Sequence, residues 1–469
     1  MSPESEGRQG LMAGAGDTVD LVVIGLGPGG ESLASQAASA GLSVVAVDKH
    51  LVGGECPYYG CIPTKMMVRA SDALAEAHRV NELAGESTVV PSWTPVATRI
   101  SQEATTDWDD TIAVERLQQA GATVHHGVGR LDGPGRVVVA LPDGSEVSYS
   151  ARRGVVLNPG TRPAEPPIDG LTGTPFWTNR DAVRATSVPG SLVVLGGGPI
   201  GCELAQVFAR FGSRVTVVQH GERLLGADEP EASTLLAQVF VDEGIRVLTS
   251  VEATTVSYAE GAFTVELSDG GSLTADQLLV GAGRVRNLDG LGLETVGLGD
   301  DLSVDERMRA GDGLWAIGDV TGHGAFTHMS MYESAIAARD ILGQEGPPAT
   351  YHAVPHTTFT DPEVAGVGLT EARARDAGLT VRVGQTDLAT SSRGFTHGPG
   401  ATGLIKVVED AARGVLVGAT VVGPAAGEIC SMLTLAVHAE IPVATLRSMI
   451  YAYPTFHRAV ETALGDLAE

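Results

Sequence analysis

The sequence is poor in aromatic residues, in cysteine, and in basic residues relative to acidic ones. Aromatics are 4% of the 469 residues, and cysteine occurs four times. The 61 glycines suit tight α/β turns and phosphate loops better than a carbohydrate-binding sandwich. Lys plus Arg total 31 against 57 for Asp plus Glu, and the net charge of -26 makes nucleic acid and anionic membranes poor partners. No apolar run reaches the ~20 residues of a membrane helix. We therefore expect a soluble, cytoplasmic protein.

Two of the four cysteines lie close together in the run GGECPYYGCIPTK at residues 53–65. Cys56 and Cys61 are five residues apart at the start of a helix-compatible stretch, where a regular helix would separate them by ~7.5 Å along its axis. A disulfide requires Cα atoms within ~7 Å, so a bridge needs a bent first turn, which Pro57 and Gly60 permit. A helix N-terminus also favours thiolate. Both features suit a disulfide that opens and closes repeatedly.

The alternatives to a redox-active pair are a structural disulfide and half of a metal site. A structural bridge fits poorly with so few cysteines and with a first segment that resembles no secretory signal. A zinc site would need two more ligands at finger-like spacing, and Cys202 and Cys430 are isolated. The sequence therefore favours a redox-active dithiol and predicts no metal site.

A glycine-rich turn precedes the cysteine motif. Gly25, Gly27 and Gly30 fit G-x-G-x-x-G between an apolar strand and an alanine-rich helix, where glycine lets the backbone approach a pyrophosphate. Asp48 ends the next strand, eighteen residues after the last glycine, where a carboxylate accepts ribose hydroxyl hydrogen bonds. One such motif is weak evidence.

The same unit occurs a second time in the middle of the chain. Gly196, Gly198 and Gly201 repeat the turn, and again the second strand ends eighteen residues after the last glycine. Two matching βαβ units predict two dinucleotide sites.

The second unit ends in Gln219 where the first has an acid. Neutral Gln neither holds the 2′-hydroxyl of NAD strongly nor repels the phosphate of NADP. His220 and Arg223 lie just beyond and could pair with a 2′-phosphate, although a solvated arginine on a loop is equally compatible with the pattern. The sequence therefore favours NADPH slightly over NADH.

The remaining segments contribute further elements. We expect residues 1–18 to form a loose tail. Residues 313–322 should form a strand ending in Asp319, whose carboxylate could bind a polyol hydroxyl. From residue 351 onward the pattern indicates an α+β block that makes an interface.

The cysteine motif and the paired glycine turns resemble the pyridine nucleotide-disulfide oxidoreductases, a flavoprotein family that includes dihydrolipoamide dehydrogenase, glutathione reductase and mercuric reductase. The resemblance covers nearly the whole chain after residue 18. It implies an α/β protein with two Rossmann-like dinucleotide-binding domains and a C-terminal α+β dimerisation domain. The implied boundaries are a tail at 1–18, an FAD domain at 19–162 and 284–346, an inserted NAD(P) domain at 163–283, and an interface domain at 347–469. The family forms homodimers in which the partner chain completes the active site.

The resemblance also implies roles for individual residues. It places FAD against Gly25, Gly27, Gly29, Gly30, Asp48, Lys49, Gly54, Gly160, Asp319 and His328, and the nicotinamide cofactor against Gly196, Gly198, Gly201, Gln219, His220, Arg223 and Gly283. Lys65 and Glu203 would form an ion pair beside the flavin. Cys61 would be the flavin-proximal sulfur, and Cys56 would exchange with substrate.

The chain departs from the family near its C-terminus. The family motif H-P-T-x-x-E reads Tyr453-Pro454-Thr455-Phe456-His457-Arg458 here, so the usual His–Glu base is replaced. A tyrosine with a pKa near 10 is a poor base at neutral pH, and mercuric reductase resembles this chain in having tyrosine there. His457 could substitute as a base with Glu461 orienting it, or it could be an ordinary surface histidine. Tyr453 could contact substrate or metal, or could be a plain interface aromatic.

These observations predict an FAD-dependent NAD(P)H oxidoreductase acting on a disulfide or related acceptor. One alternative is a mercuric-reductase-like reductase of metal ions or quinones. Another is a non-catalytic, flavin-bearing redox sensor whose C-terminal substitutions record a lost active site. The motifs do not name the acceptor.

Overall fold

A computed structural model describes residues 17–299 and 301–467. The chain forms two compact units. The first contains the described residues up to Cys56 together with Trp108–Arg162 and Arg286–Ala349. The second contains Pro57–Asp107, Pro163–Val285 and the described residues from Thr350 onward. Within the described parts of the chain, no helix has both the length and the apolar character needed to cross a bilayer.

The first unit is built on an eight-stranded sheet. Its central strand is Asp17–Ile24, a buried apolar run that pairs in parallel with a strand on each side. Burial on both faces explains why the second half of this strand, residues 21–24, and its parallel partners at 44–47 and 155–157 are short apolar runs rich in Val, Ile and Leu. The strands are Asp17–Ile24, Val44–Asp48, Thr123–His126, Val128–Leu131, Arg136–Ala140, Glu146–Leu157, Arg309–Gly311 and Leu314–Ala316.

The helices of the first unit lie in the segments that connect these strands. They are the α-helices Pro28–Ser39, Thr111–Gln119 and Thr327–Ile341 and the 3-10 turns Leu293–Val296 and Gly318–Thr321. We call Gly318–Thr321 the aspartate turn, because it carries Asp319.

The predicted loose tail ends earlier than expected. Residues 1–16 lie outside the described residues, but Asp17 and Thr18 already belong to the first strand. They pair with Tyr149 and Ser150. The first strand begins at Asp17 because the long strand Glu146–Leu157 extends far enough to supply backbone partners for both residues.

The second unit contains three sheets. A four-stranded parallel sheet consists of Arg246–Thr249, Arg214–Gln219, Ser191–Leu195 and Gln277–Val280 in that spatial order. A three-stranded antiparallel sheet consists of Ala253–Ala259, Ala262–Leu267 and Ser272–Ala275. A five-stranded antiparallel sheet follows the order Pro355–Thr358, Glu363–Gly368, Val415–Gly423, Leu404–Asp410 and Val381–Asp387. The short strands Thr161–Pro163 and Arg284–Arg286 lie where the chain passes from one unit to the other.

The helices of the second unit include the long one that follows the cysteine motif. The α-helices are Cys61–Leu83, Thr94–Arg99, Asn179–Ala182, Pro199–Arg210, Pro230–Asp242, Glu371–Asp376, Ser392–His397, Ala426–His438, Val443–Arg447 and Ala459–Gly465, with a π-helical turn at Ile100–Ala104 and a 3-10 turn at Phe456–Arg458. We call Cys61–Leu83 the cysteine helix and Pro199–Arg210 the second loop helix. The short helix Glu55–Tyr58 precedes the cysteine helix.

Candidate functional site

The first glycine loop, residues 25–30, has no room for a larger residue at several positions, of which Gly25 and Gly30 are two. Gly25 has φ +93°, and a Cβ there would lie 2.1 Å from the carbonyl oxygen of Asn158. A Cβ at Gly30 would lie 2.1 Å from the carbonyl oxygen of Gly25. The helix Pro28–Ser39 begins after Gly27, whose position has no side-chain cap, so this loop stands at a helix N-terminus, where an anion is favoured. The loop therefore fits a pyrophosphate.

Asp48, the last residue of the strand Val44–Asp48, binds the backbone of this loop. Its carboxylate accepts hydrogen bonds from the N–H groups of Leu26 (2.6 Å) and His50 (2.7 Å). Burial raises the pKa of Asp48, and the two backbone hydrogen bonds oppose that shift. Each carboxylate oxygen has a further lone pair for a ribose hydroxyl. Gly54 also packs closely on the loop, since a Cβ there would lie 2.8 Å from the Cα of Gly27, whereas Lys49 is exposed.

The aspartate turn is held by residues that the sequence analysis missed. Thr161 donates a hydrogen bond to Asp319 (2.6 Å), and buried Glu333 accepts the N–H of Gly318 (2.7 Å) and the hydroxyl of Thr321 (3.0 Å). His323 also lies 3.2 Å from Glu333. The only sequence signal was an acidic residue on the otherwise apolar face of the helix Thr327–Ile341.

Two further polar residues reach the first glycine loop from distant parts of the sequence. Ser330 accepts the N–H of Gly29 (3.1 Å), and the Asn158 side chain donates to the carbonyl of Gly25 (3.2 Å). His328, which the resemblance assigned to the flavin, is exposed and stacks on Phe326 with ring centroids 5.1 Å apart.

The second glycine loop, residues 196–201, repeats this construction. Gly196 has φ +110°, and a Cβ at Gly201 would lie 1.9 Å from the carbonyl oxygen of Gly196. A Cβ at Gly198 would meet no atom within 4 Å, and the second loop helix begins there without a side-chain cap. This loop also fits a pyrophosphate. Gly160 and Gly283 both have positive φ, at +65° and +106°, with open space beside them.

In the second βαβ unit, Gln219 occupies the position that Asp48 has in the first, and it binds its glycine loop in the same way. Its side-chain oxygen accepts the N–H of Gly197 at 2.8 Å. The hydrogen bonds of Asp48 to Leu26 and of Gln219 to Gly197 match, and they confirm that the second βαβ unit repeats the first.

Arg223, for which the sequence left a phosphate contact and an ordinary loop position open, makes hydrogen bonds within its own segment. Its guanidinium donates to the carbonyls of Asp228 (2.7 Å) and Gly226 (2.8 Å) and to the Ser233 hydroxyl (2.9 Å). Arg223 therefore holds its own loop together, because a turn of this length needs donors for its inward carbonyls. His220 is exposed.

The cysteine motif has the break that the spacing predicted. Cys56 lies in the separate turn Glu55–Tyr58, and Cys61 is the first residue of the cysteine helix. Gly60 separates the two helical segments with φ -119° and ψ -117°. We call residues 57–60 the cysteine loop. Cys56 is half-buried and Cys61 is exposed, at a helix N-terminus that favours thiolate.

The other two thiols are placed differently. Burial raises the pKa of the Cys202 thiol far above its usual value and raises that of Cys430 to about 11. Both therefore remain protonated and unreactive at neutral pH.

Lys65 and Glu203 form the ion pair that the resemblance implied. The Lys65 ammonium lies 2.7 Å and 2.9 Å from the two carboxylate oxygens. Glu203 also accepts the N–H of Phe359 at 2.8 Å, and the Phe359 ring centroid is 4.7 Å from the ammonium. Lys65 is one helical turn after Cys61, so this contact fixes the start of the cysteine helix against the second loop helix.

The C-terminal motif differs from its prediction. Glu461 pairs with Arg458 at 3.0 Å rather than orienting His457. The reason is a break in the helix: His457 lies in the 3-10 turn Phe456–Arg458, and the α-helix begins only at Ala459, so regular i,i+4 spacing does not apply. The Arg458 guanidinium lies 5.6 Å from the Tyr453 ring centroid, and Tyr453 is 69% exposed.

Two dinucleotide loops and a cysteine pair at a helix N-terminus define a redox enzyme that uses dinucleotide cofactors. The family model described as pyridine nucleotide-disulphide oxidoreductase matches residues 19–354, and the model of that family's dimerisation domain matches residues 354–464. The protein belongs to this family. It is an FAD-dependent enzyme that uses NAD(P)H, and the dimerisation domain supports a homodimer.

Known relatives include two enzyme types. A dihydrolipoyl dehydrogenase from Chlorobaculum tepidum is 34% identical over 95% of this chain and 96% of its own. A mercuric reductase from Acidithiobacillus ferrooxidans is 32% identical over 98% of this chain and 84% of its own. Among solved structures, LpdA from Mycobacterium tuberculosis superposes with a TM-score of 0.85 at 26% identity, covering 96% of this chain and 100% of the other. The Cu(II) complex of the HOCl-induced flavoprotein disulfide reductase RclA from Escherichia coli has a TM-score of 0.85 at 25% identity, covering 96% and 99%.

Proposed function

We propose that the protein transfers the two electrons of NAD(P)H to the Cys56–Cys61 pair and from there to a small-molecule disulfide. The overall reaction is NAD(P)H + H⁺ + RSSR → NAD(P)⁺ + 2 RSH. The observation that carries the proposal is the Lys65–Glu203 ion pair, because it joins the helix that begins at Cys61 to the helix that follows the second glycine loop.

The two glycine loops supply the cofactor sites in this proposal. FAD, when bound, would carry electrons from the nicotinamide to the sulfur pair. The residues that would hold FAD are Gly25, Gly27, Gly29, Gly30, Asp48, Lys49, Gly54, Gly160, Asp319 and His328. The nicotinamide cofactor would bind at Gly196, Gly198, Gly201, Gln219, His220, Arg223 and Gly283.

The two sulfurs have different tasks. Cys61 receives electrons on the flavin side, and Cys56 exchanges with the acceptor as a thiolate nucleophile. The break at Gly60 allows the two sulfurs to form a bridge, because it frees the two cysteines from the spacing of one regular helix.

A second copy of the chain completes the site. The segment before the C-terminal motif exposes large apolar side chains, with Ile450 96% exposed and Tyr453 69% exposed. Exposed apolar residues next to one another mark an interaction surface, and the family match assigns this part of the chain to dimerisation. We propose that Tyr453 and His457 reach the partner's cysteine pair.

A metal-ion acceptor is the second candidate. Arg458 stands where the family motif has its carboxylate, and its own pairing with Glu461 leaves Tyr453 without a histidine–carboxylate base. A metal ion accepts electrons without the protonation that a leaving thiolate needs, so this arrangement makes a soft metal the alternative acceptor.

An anaerobic NADPH titration followed by an acceptor panel tests these proposals. The expected result is flavin reduction, then rapid turnover of a small disulfide such as lipoamide or glutathione disulfide. Turnover with Hg²⁺ or a quinone alone would favour the second candidate. Reducible flavin without turnover of any acceptor would indicate a redox sensor. The matched control is Cys56→Ser, which should abolish disulfide turnover while leaving flavin reduction by NADPH intact.

A further inference from the structure

A short segment beginning at Trp177 links the parallel sheet of the second unit to the cysteine loop. Trp177 pairs with the edge strand Gln277–Val280, donating to the Leu278 carbonyl (2.7 Å) and accepting the N–H of Val280 (2.8 Å). The chain then turns into the helix Asn179–Ala182, whose first turn is closed by a capping box. The start of this helix is therefore fixed relative to the sheet.

This helix and the residues just after it contact Tyr59, the third residue of the cysteine loop. Asn179 is 5% exposed and donates to the Tyr59 carbonyl at 2.8 Å. The guanidinium carbons of Arg180 and Arg184 lie 5.1 Å and 4.9 Å from the Tyr59 ring centroid. Arg184 also donates to the Tyr59 hydroxyl at 2.8 Å. Backbone, ring and hydroxyl of one loop residue are thus held by three side chains from one short segment.

The far end of the segment is anchored as well. The Trp93 indole N–H donates to the Ala185 carbonyl at 2.7 Å. Trp93 is itself buried, and its ring packs on Phe208 (5.3 Å between centroids) and on Phe211 (4.9 Å). Both ends of the segment are therefore bound to buried structure, and this restricts the positions of Asn179, Arg180 and Arg184 relative to the cysteine loop.

We propose that Asn179, Arg180 and Arg184 are positioning residues for the Cys56–Cys61 couple, fixing the cysteine loop and stabilising the negative charge that reduction places on the sulfurs. The inference rests on the proposed function of the cysteine pair. On reduction the S–S bond breaks and accepts the two electrons released by NAD(P)H. One sulfur takes up the proton released with them, and the other remains a thiolate. Arginine suits this role, because it keeps its charge at any working pH and stacks on aromatic rings.

The charge effect has a definite sign. Arg180 and Arg184 are held on Tyr59, which lies three residues after Cys56 and two before Cys61. A cation at this position stabilises the thiolate more than the neutral disulfide, so it makes the disulfide easier to reduce. Removing the cations therefore makes the midpoint potential more negative. Arg184 is exposed, so its part of the effect should weaken in high salt, where the screening length falls to about 3 Å at 1 M.

The test measures the midpoint potential of the cysteine couple in the holoenzyme, equilibrated without oxygen against glutathione redox buffers and then alkylated. The double variant Arg180→Gln/Arg184→Gln should be about tenfold harder to reduce, which is about 30 mV for a two-electron couple. The difference should shrink in 1 M NaCl. Arg184→Lys should restore the potential to within about threefold. The matched control is Arg214→Gln, an exposed arginine at the start of the strand Arg214–Gln219, which should leave the potential unchanged.

A conservative variant covers the case in which the double variant does not fold. Tyr59→Phe keeps the ring and removes only the hydroxyl that Arg184 contacts, and it should make the couple about threefold harder to reduce. If the double variant folds and its midpoint potential equals that of the Arg214→Gln control, the inference is overturned. If the double variant does not fold, the same result for Tyr59→Phe overturns it. A shift that neither salt nor Arg184→Lys alters would reduce the two arginines to a purely structural role and overturn it as well.

Failure of the underlying function would look different. If NAD(P)H does not generate two additional alkylatable thiols in the wild-type protein, the cysteine pair is not the redox centre. That result involves no variant, so it is separable from a failure of the Tyr59 contacts.

Discussion

The Lys65–Glu203 pair allows a quantitative test of how the cysteine helix is held. Glu203 is 5% exposed and Lys65 is 34% exposed. Removing one partner of a fully buried pair costs about 3–5 kcal/mol, whereas an exposed pair contributes about 0–1 kcal/mol. Since this pair is buried on one side only, we expect Glu203→Gln to lower the free energy of unfolding by about 2 kcal/mol.

Glutamine is the informative replacement, because it retains an oxygen that can accept the Phe359 N–H and removes only the charge. The loss then comes from Lys65, whose ammonium is left beside an aromatic ring without its carboxylate. Lys65→Met in the same background removes that stranded charge. The double variant should therefore be more stable than the sum of the two single losses implies, with a coupling energy of about 1–2 kcal/mol.

The assay is urea unfolding of the four proteins in this cycle, followed by tryptophan fluorescence. The control cycle uses Arg99 and Glu103, an exposed pair at 3.1 Å, which should couple by about 0.3–0.5 kcal/mol. A coupling energy below about 0.5 kcal/mol for the Lys65–Glu203 cycle would show that solvent screens the pair. The reasoning would then be wrong.

Four further predictions concern the cofactor sites and the sulfurs. Glu333→Gln should weaken FAD binding about tenfold, because the aspartate turn loses a charged acceptor worth about 1.5 kcal/mol; an unchanged FAD dissociation constant by fluorescence titration would contradict this. Gln219→Glu should lower kcat/KM for NADPH relative to NADH by about tenfold or more, since a carboxylate repels the 2′-phosphate, and an unaltered ratio would place the ribose elsewhere. Iodoacetamide at pH 7.5 should label two thiols in the reduced native protein and four after unfolding, because burial raises the pKa values of Cys202 and Cys430; labelling of either in the native state would refute their burial. Anaerobic reduction should produce a long-wavelength thiolate–flavin absorbance band and Cys61→Ser should abolish it, whereas a retained band would assign it to the other sulfur.

The sequence predicted the features whose signal lies within a few residues. The glycine loops are examples, since Gly25 and Gly196 need positive φ and Gly30 and Gly201 need space for a carbonyl, and both requirements appear as glycine at fixed spacing. The break at Gly60 was predictable for the same reason. Family resemblance supplied the Lys65–Glu203 pair, which no local pattern could indicate.

The residues that the sequence did not reveal act across long separations. Glu333 serves the aspartate turn, Ser330 binds a glycine N–H of the first loop, and Asn179 binds a carbonyl of the cysteine loop 120 residues away. Such side-chain to backbone contacts leave no period in the sequence. Arg223 is a similar case, because its position suggested a phosphate ligand and nothing in the pattern indicated its hydrogen bonds to the carbonyls of Gly226 and Asp228.

A second contact shows why the cysteine helix has a definite register against the second loop helix. Asp72 follows Lys65 by seven residues and pairs with Arg210, which follows Glu203 by seven residues, at 2.9 Å. Seven residues are about 10.5 Å along each axis, so the helices run in the same direction and are joined at two levels. The signs of the charges are reversed between the levels. A slip of one helix by two turns would bring Lys65 opposite Arg210, with like charges meeting at the shifted level.

The first part of the dimerisation domain contacts both levels. Phe359 donates its N–H to the glutamate of the first level, and Asp361 accepts from Arg210 of the second at 2.8 Å. Gln206 lies between the levels and both donates to and accepts from the Asp361 backbone. Three parts of the chain far apart in sequence thus share one set of charges. Lys65, which is proposed to act beside the flavin, is therefore held between packed helices. Its position also depends on Phe359 and Asp361 in the first part of the dimerisation domain.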